Sequence, residues 1–359
     1  IVIDGMVFQN AKHSQWGAAA IYLRGNMTVQ NCTFRNCESG SNAGAIWIEQ
    51  GEATTPAVVR NCLIEYCVCT QAESGAGAIY NSEGQGLIEN CIIRGCKGSI
   101  GGIRNNEGGV VRNCVLYNNH STYNGCIYGK GSFFNNTICN NFGDRYAGSR
   151  TEGRVTNSVF WGNSTTYEHT NYVDGSTGAT KNIGDVGSGS GITTGLAADN
   201  SATDGPNFVN PTSFSGLPKT DVEKGAVEKA SFALTSFSTK LLNQADASSA
   251  PTKDIDGVAR PKGTGSYIGA YEYDPDATVI HVTGVSIEPA EIEVIEGKTG
   301  TLVAKVVPDN ASNKRVEWSI DDVTIATIQN GKVTGVKPVT TKAHVKTLDG
   351  EFKAEAKVI

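Results

Sequence analysis

The stretch VQNCTFRNC at residues 29–37 recurs along the chain with small changes. Its variants are VRNCLIEYC at 59–67, IENCIIRGC at 88–96 and VRNCVLYNN at 111–119. Aligning these phrases and two later ones on asparagine gives one column, with Gly5 in the same place one phrase earlier: Asn31, Asn61, Asn90, Asn113, Asn136 and Asn157. Intervals of 21 to 30 residues between them indicate one solenoid coil per repeat.

The residues after each asparagine alternate with a period of two, which is typical of short strands rather than helices. One predicted inward column is Cys32, Cys62, Cys91, Cys114, Thr137 and Ser158. The next is Phe34, Ile64, Ile93, Leu116, Cys139 and Phe160. A second strand, half a coil away, should point these residues inward: Ile21, Ile46, Ile79, Ile103 and Ile127. Stacked coils of such strands predict an all-β fold, a parallel β-helix.

Asparagine suits the bend of each coil because it tolerates a left-handed backbone better than other non-glycine residues. Its amide can also bond to the amide of the next coil, about 4.8 Å away. We therefore expect a continuous ladder of these amides. Glycine accepts the same conformation, which explains Gly5.

An apolar column should face outward beside this bend: Thr33, Leu63, Ile92, Val115, Ile138 and Val159. Such a strip is too large to stay exposed in a monomer. We expect residues 164–273 to cover it, with a partner protein as the second candidate.

All ten cysteines lie between Cys32 and Cys139. Their position among apolar repeat residues favours buried free thiols. Disulfide bonds are the second interpretation, because the count is even and pairs recur. A metal site is the third, since no histidine recurs beside the pairs.

The 359-residue chain has a formal net charge of −6, which indicates no nucleic-acid partner. It begins inside a repeat and shows no leader, so we expect further sequence upstream.

Residues 1–163 resemble the right-handed parallel β-helix proteins of the pectate-lyase-like superfamily. The phrases NSVFWGNS at 157–164, GPNFVNP at 205–211 and DIDGVARPKGTGSYIGAYEY at 254–273 resemble the choice-of-anchor Q region of bacterial surface proteins. This resemblance implies an extracellular protein, associated with a bacterial cell envelope through an anchor not visible here. It also implies that residues 164–273 form an ordered C-terminal cap on the β-helix.

Residues 281–359 resemble a group 2 bacterial immunoglobulin-like domain, a small β-sandwich. VTGVSIEPAEIEVIEGKTGTLVAKVVPDNASNKRVEWSIDD carries the family's opening strands, and VTIATIQNGKVTGVKP carries its later hairpin. Trp318 takes the place of the usual core tryptophan.

Catalytic constellations known for this superfamily are not found in the repeats. Polysaccharide lyases gather carboxylates around calcium, and the hydrolases use neighbouring aspartates. Between Gly5 and Asn163 the only aspartate is Asp144. Asp254 and Asp256 only loosely match a calcium loop, and we expect Asp256, Arg260 and Glu272 to hold the cap closed. We predict no metal site and no cofactor.

The candidate site is a column that follows the inward isoleucines and should face outward: Tyr22, Trp47, Tyr80, Arg104 and Tyr128. Aromatic rings suit the CH faces of sugars, and a guanidinium suits an acidic group. The alternative interpretation is ordinary aromatic stacking on a β-surface.

We interpret the chain as a secreted or cell-surface bacterial protein, a monomer, in which a non-catalytic face binds a polysaccharide or a host or cell-surface glycan. The alternative is a polysaccharide lyase or related enzyme of the same fold acting on acidic glycans. Its site would use Arg104 or Arg24, or would lie in coils further upstream.

Overall fold

The structure is a computed structural model. It describes all residues except 16, 52, 84, 168, 175–177, 187–190, 275–280, 310, 312–315, 330 and 348–349. The chain divides into two compact units, Ile1–Pro275 and Asp276–Ile359.

The first unit is a parallel β-helix whose coils contribute strands to four stacked sheets. The first sheet contains Val2–Asp4, Thr28–Gln30, Val58–Arg60, Leu87–Glu89, Val110–Arg112, Ser132–Phe134 and Val155–Thr156. The second sheet contains Val7–Gln9, Thr33–Arg35, Leu63–Glu65, Ile92–Arg94, Val115–Tyr117, Thr137–Cys139, Val159–Trp161, Ile183–Gly184 and Thr193–Thr194.

The two remaining sheets complete each coil. The third contains Lys12–His13, Glu38–Ser39, Val68–Cys69, Lys97–Gly98, His120–Ser121, Phe142–Gly143 and Ser164–Thr165. The fourth contains Ile21–Arg24, Ile46–Glu49, Ile79–Asn81, Ile103–Asn105, Ile127–Gly129, Tyr146–Thr151 and His169–Val173. The predicted all-β, parallel β-helix class is confirmed.

The predicted left-handed turn is present in every repeat. Asn31, Asn61, Asn90, Asn113 and Asn157 have φ between 52° and 57°, and Gly5 has φ of 68°. The bend therefore sits where the sequence pattern put it, for the conformational reason that asparagine and glycine share.

One turn residue was assigned wrongly. The left-handed residue of its coil is Asn135, with φ of 52°, and not Asn136. Two asparagines stand side by side there, and moving the alignment by one residue reverses every side chain in the strand. Ile138 accordingly pairs with Leu116 and points inward, while Cys139 pairs with Tyr117 and points outward.

The continuous amide ladder is also only partly present. The side-chain amide of Asn61 donates to Asn31 Oδ1 at 3.4 Å, and that of Asn157 donates to Asn135 Oδ1 at 3.1 Å. Between these pairs, the Asn113 amide donates to the carbonyl of Lys253 at 2.6 Å instead. The Asn113 amide thus bonds to the cap, whereas a bond to the turn amide of a neighbouring coil was predicted.

A second, buried amide ladder lies inside the coils and was not predicted. Asn119 Nδ2 donates to Asn141 Oδ1 at 3.0 Å, and Asn141 Nδ2 donates to Asn163 Oδ1 at 3.0 Å. Each amide also donates to a backbone carbonyl of another coil. Buried polar groups need such partners, so the later coils are joined by side chains as well as by strands.

All ten cysteines are buried free thiols. Burial raises the pKa of the Cys69 thiol to about 11, which keeps it protonated at neutral pH. Four of these cysteines point inward as the first predicted column required, one in each of four successive coils: Cys32, Cys62, Cys91 and Cys114.

The residues after the last full coil cover the outward apolar column, as expected. Val115 and Val159 are buried against a cluster that includes Phe232 and Ile268. The cover lies along the side of the second sheet, while the strand Thr193–Thr194 extends that sheet at its end. Near the N-terminus, Thr33, Leu63 and Ile92 remain half-buried.

The covering region contains one helix, Asp221–Lys229, the only α-helix in the part of the chain that the structure describes. It begins at a capping box in which Thr220 and Glu223 bond reciprocally to each other's backbone. This arrangement satisfies two free N–H groups at the helix start.

A buried ion pair closes the cover. Arg260 Nη1 donates to Glu272 Oε1 at 2.9 Å, and Arg260 also donates to the carbonyls of Tyr267 and Gly269. The expected partner Asp256 is exposed. Asp254 takes the buried place, and its carboxylate accepts the backbone N–H of Glu272 at 2.8 Å. Burial raises the pKa of Glu272, and the nearby guanidinium opposes that rise.

The second unit is all-β. One pair of strands is Gly284–Glu288 and Val303–Val307. A four-stranded sheet contains Glu291–Ile292, Lys353–Val358, Thr341–Thr347 and Val316–Ile320, and a three-stranded sheet contains Thr299–Thr301, Lys332–Gly335 and Ala326–Gln329. Trp318 packs against the buried core of this unit.

Two substitutions at Asn135 distinguish the contribution of its left-handed backbone to stability from that of its side-chain hydrogen bonds. Its buried amide donates to the carbonyls of Tyr267 and Gly269. Asn135→Gly should lower the free energy of unfolding by about 1–3 kcal/mol, because carbonyls in the cap lose a donor. Asn135→Ala should cost about 1–2 kcal/mol more, because alanine resists a left-handed backbone. Urea unfolding followed by circular dichroism measures both, and equal losses would contradict the conformational argument.

The buried pair in the cover gives a second prediction. Arg260→Met or Glu272→Leu alone should each cost about 3–5 kcal/mol, because each leaves a buried charge unpaired. The double variant should lose clearly less than the sum of the two. Urea unfolding of the three variants tests this coupling, and additive losses would show that the two charges do not depend on each other.

Candidate functional site

The five predicted site residues lie in one row on the outer face of the fourth sheet. Strand register pairs Tyr22 with Trp47, Trp47 with Tyr80, Tyr80 with Arg104, and Arg104 with Tyr128. They face outward because they alternate with inward isoleucines. The structure thus brings all five together.

The row continues past its predicted end. Tyr128 pairs with Arg150, and Arg150 pairs with Tyr172. Neither residue was predicted from the sequence, because Ser149 replaces the inward isoleucine and an irregularity interrupts the strand pairing. The even spacing of 22 residues from Tyr128 to Arg150 to Tyr172 is the signal that could have found them. We call these seven residues the aromatic–arginine row.

Neighbours in the row stack on one another. The rings of Tyr22 and Trp47 have centroids 4.5 Å apart and planes 27° apart. The Arg104 guanidinium lies 4.5 Å from the Tyr80 centroid and 5.9 Å from the Tyr128 centroid. Ring faces that would suit the CH faces of sugars are therefore covered by neighbours in the row. The row presents ring edges and polar atoms outward instead.

Exposure differs sharply along the row. Tyr22 is 42% exposed, whereas Trp47 is only 4% exposed and packs against Ala18 and Ala43. Trp47 Nε1 donates to Ser82 Oγ at 2.8 Å. Trp47 is therefore a packed, buried member of the row and offers almost no surface to a ligand.

A pocket of about 300 Å³ opens beside the middle of the row. Two predicted residues, Arg104 and Tyr128, contribute to its wall. The other lining residues are Asn106, Glu107, Gly129, Lys130 and Glu152. Lys130 Nζ lies 3.9 Å from Glu152 Oε2. Cationic, anionic and amide groups thus converge on one small cavity next to an aromatic edge.

Arg104 is held firmly in place. Its Nη1 donates to the carbonyl of Ser74 at 3.1 Å, and its guanidinium is flanked by two tyrosine rings. Its buried Nε has no hydrogen-bond partner among the described residues. The Arg104 guanidinium is therefore held in one orientation before a ligand binds, which favours a ligand whose acceptor groups match that orientation.

A further arginine that was not predicted from the sequence, Arg145, and the row residue Arg150 extend the positive charge along the strand Tyr146–Thr151. Arg145 lies 4.9 Å from the Tyr123 centroid, and its Nη1 donates to the Tyr123 hydroxyl at 2.7 Å. Arg150 lies 5.3 Å from the Tyr146 centroid. Within the described ranges, Arg104, Arg145 and Arg150 have no carboxylate within ion-pair distance. Other arginines do pair with glutamates: Arg24, Arg35, Arg94, Arg112 and Arg260.

The residues considered for a lyase differ in their surroundings. Arg24 is exposed and donates to Glu49 Oε2 at 3.1 Å, while Arg104 borders the pocket. The described part of the chain contains no group of three or more His, Cys, Asp or Glu side chains that could hold a metal ion.

A larger pocket of about 520 Å³ lies between the cover and the end of the second sheet, lined in part by Trp161, Asp199 and Phe214. It shares no residue with the row.

These features define a parallel β-helix protein with an ordered aromatic and cationic row on one outer sheet. Residues 3–182 match the family described as the right handed beta helix region, and the chain belongs to that family. Residues 281–358 match the bacterial Ig-like domain, group 2. Both predicted domain types are therefore confirmed.

Curated relatives match only part of the chain. An uncharacterized protein of Clostridium acetobutylicum is 38% identical over 87 residues, covering 24% of this chain and 9% of that protein. An Ig-like virion protein of Serratia phage KSP90 is 38% identical over 88 residues, covering 24% and 34%. An alpha-L-arabinofuranosidase of Bifidobacterium longum is 35% identical over 82 residues, covering 23% and 8%. The chain thus spans well under two thirds of each of these relatives.

Among the residues that the structure describes, no helix is both long and apolar enough to cross a bilayer. Together, β-helix and Ig-like domains fit a surface or carbohydrate-associated protein.

The different burial of two row residues gives a testable contrast. Trp47→Ala should lower the free energy of unfolding by about 3–5 kcal/mol, because it empties a packed site. Tyr22→Ala, at the exposed end of the row, should change it by about 1 kcal/mol or less. Urea unfolding of both variants measures the difference. A small effect at Trp47 would mean that it is not a packed, buried member of the row.

Proposed function

We propose that this protein is an extracellular or cell-surface protein that binds carbohydrate, without catalysis, at the aromatic–arginine row. The observation that carries the proposal is the pocket where Arg104 and Tyr128 meet Asn106, Lys130 and two glutamates. Binding sites combine an aromatic wall with a few placed polar groups, and this pocket lies at the small end of their size range.

Sugar hydroxyls donate and accept hydrogen bonds, so they need both kinds of partner. Lys130 and Arg104 supply donors, Glu107 and Glu152 supply acceptors, and the Asn106 amide supplies both. Tyr128 supplies an apolar edge at the same place. Arg150 follows the pocket residue Tyr128 in the row and has no carboxylate within ion-pair distance among the described residues, which favours a sugar chain with acidic substituents.

The row also has the dimensions of a polymer site. From Tyr80 to Tyr172, five row residues at one strand spacing of about 4.8 Å span about 19 Å. A single sugar fills the pocket, whereas a polysaccharide or a cell-surface glycan could follow the row beyond it. We propose such a glycan as the partner of a monomeric chain.

Location on the cell surface rests on other parts of the chain. The resemblance of residues 254–273 to a choice-of-anchor Q region supports association with a bacterial envelope. The group 2 Ig-like domain supports the same location, and one partial relative is named as a virion protein.

A polysaccharide lyase is the second candidate. The observation that favours it is that Arg104, a residue type such enzymes use as base, borders the same pocket as two carboxylates. Its Nη1 donates to the Ser74 carbonyl and two tyrosine rings flank it, so the guanidinium is a positioned hydrogen-bond donor, which argues for binding rather than proton removal.

The binding prediction uses two residues of the pocket wall, Lys130 and Tyr128, and the neighbouring row residue Arg150. Lys130→Ala, Tyr128→Ala and Arg150→Gln should each weaken binding of an acidic polysaccharide about tenfold or more, because each removes one polar or aromatic contact. A glycan array finds the ligand, and isothermal titration calorimetry measures the loss. Arg60→Gln, an exposed arginine on the first sheet that bonds to Gln30, is the matched control.

The same samples separate the two candidates. The chain incubated with acidic polysaccharide and calcium should bind it without any gain in ultraviolet absorbance from unsaturated products. Such a gain, abolished by Arg104→Gln, would replace the binding proposal with the lyase. Unchanged affinity in all three site variants would remove the row from the binding surface.

A further inference from the structure

Seven of the ten buried cysteines form two columns that run from coil to coil. The first column is Cys32, Cys62, Cys91 and Cys114, and the second is Cys37, Cys67 and Cys96. The residue that follows a first-column cysteine donates its backbone N–H to the carbonyl of the cysteine one coil earlier. Leu63 donates in this way to Cys32 at 3.0 Å, and Ile92 donates to Cys62 at 2.9 Å. Backbone bonds therefore hold successive cysteines in register.

Register places these residues within reach of covalent linkage. Neighbouring parallel strands lie about 4.8 Å apart, and the Cα atoms of disulfide-bonded residues lie about 4.4–6.8 Å apart. Parallel side chains keep their Cβ atoms near the strand spacing, whereas disulfides need about 3.5–4.5 Å. A local approach of a few tenths of an ångström closes this gap.

In later coils the same positions carry side chains that link one coil to the next. Asn136 Oδ1 accepts the N–H of Cys114 at 2.9 Å, and Asn182 Oδ1 accepts the N–H of Ser158 at 2.9 Å. Reduced cysteines make much weaker links, since Cys62 Sγ lies 3.9 Å from the carbonyl of Val29 in the preceding coil. Between two successive coils that both carry a cysteine at this position, backbone hydrogen bonds join the strands, but no strong side-chain hydrogen bond does.

We propose that the two cysteine columns are a modification site, in which oxidation joins successive coils through disulfide bonds. Pairing all four thiols of the first column requires Cys32–Cys62 and Cys91–Cys114. The second column forms one bond, from Cys67 to Cys37 or Cys96, and keeps one thiol. Cys69, Cys126 and Cys139 lie outside both columns and stay reduced.

The oxidant is a small disulfide or the disulfide of a thiol oxidoreductase. One cysteine thiolate attacks it, forming a mixed disulfide and releasing one thiolate of the oxidant. The neighbouring cysteine then displaces the second thiolate, so that one protein sulfur–sulfur bond forms as the oxidant's bond breaks. The two protons lost by the cysteines end on the two released thiols.

Timing follows from burial. A hydrogen bond with Cys91 and burial raise the pKa of the Cys62 thiol, and Cys37 is shifted in the same direction by Cys67 and by burial. Protonated, enclosed thiols are poor nucleophiles. Oxidation therefore accompanies folding, before the coils close over the columns.

The test refolds the full reduced chain with oxidised and reduced glutathione, and in parallel with reductant alone. Free thiols are alkylated after unfolding, and linked peptides are mapped by mass spectrometry. We expect links only between successive members of one column, and a higher urea midpoint in the oxidised sample. Ten alkylated thiols in the oxidised sample, or links between different columns, would overturn the proposal.

One variant and one second route keep the result clear. Cys91→Ser has a precedent in Ser158 at the same column position, and it should abolish the link to Cys114 while Cys32–Cys62 persists. A disulfide bond between Cys114 and a cysteine outside its column would count against the proposal. Diamide treatment of the folded chain in mild urea should give the same links, and it does not depend on refolding in glutathione.

Discussion

Register between successive coils is the constraint on which the rest of this structure depends. Each coil must place a residue with a left-handed backbone at the same point, so that the following strand starts level with its neighbour. Asn31, Asn61 and Asn135 meet this requirement in different coils. Once the turns are level, each side chain lies about one strand spacing from its counterpart, and every sequence position becomes a column.

Columns explain why residues far apart in sequence act together. Tyr80, Arg104 and Tyr128 stack because the strands that carry them pair in register. The same register aligns the cysteines inside the first coils and the asparagine amides inside the later ones. Stacking also has a cost for recognition, since rings that face one another offer only their edges to a ligand. A pocket therefore forms where the row meets Lys130 and Glu152, beside the strand and not on it.

The covering region shows how turn amides serve two purposes. Asn113 and Asn135 hold a left-handed bend and also donate to carbonyls of the cover. The apolar column that they flank is buried by Phe232, Ile268 and their neighbours. Turn, cover and outward column thus stabilise one another in the C-terminal coils, where the buried Arg260 and Glu272 close the arrangement.

Several features could be predicted from the sequence alone. Repeat spacing and period-two alternation determined the parallel β-helix, most inward columns and the five-residue core of the row, because each depends only on local conformation and on repetition. The adjacent Asn135 and Asn136 defeated that reasoning, since both accept a left-handed turn and only pairing with the neighbouring strand selects one. Burial of Trp47, the pocket and the contacts of Arg145 and Arg150 depend on loops that differ from coil to coil. Those features were decided by tertiary structure, because distances between segments without a repeat cannot be obtained from spacing along the chain.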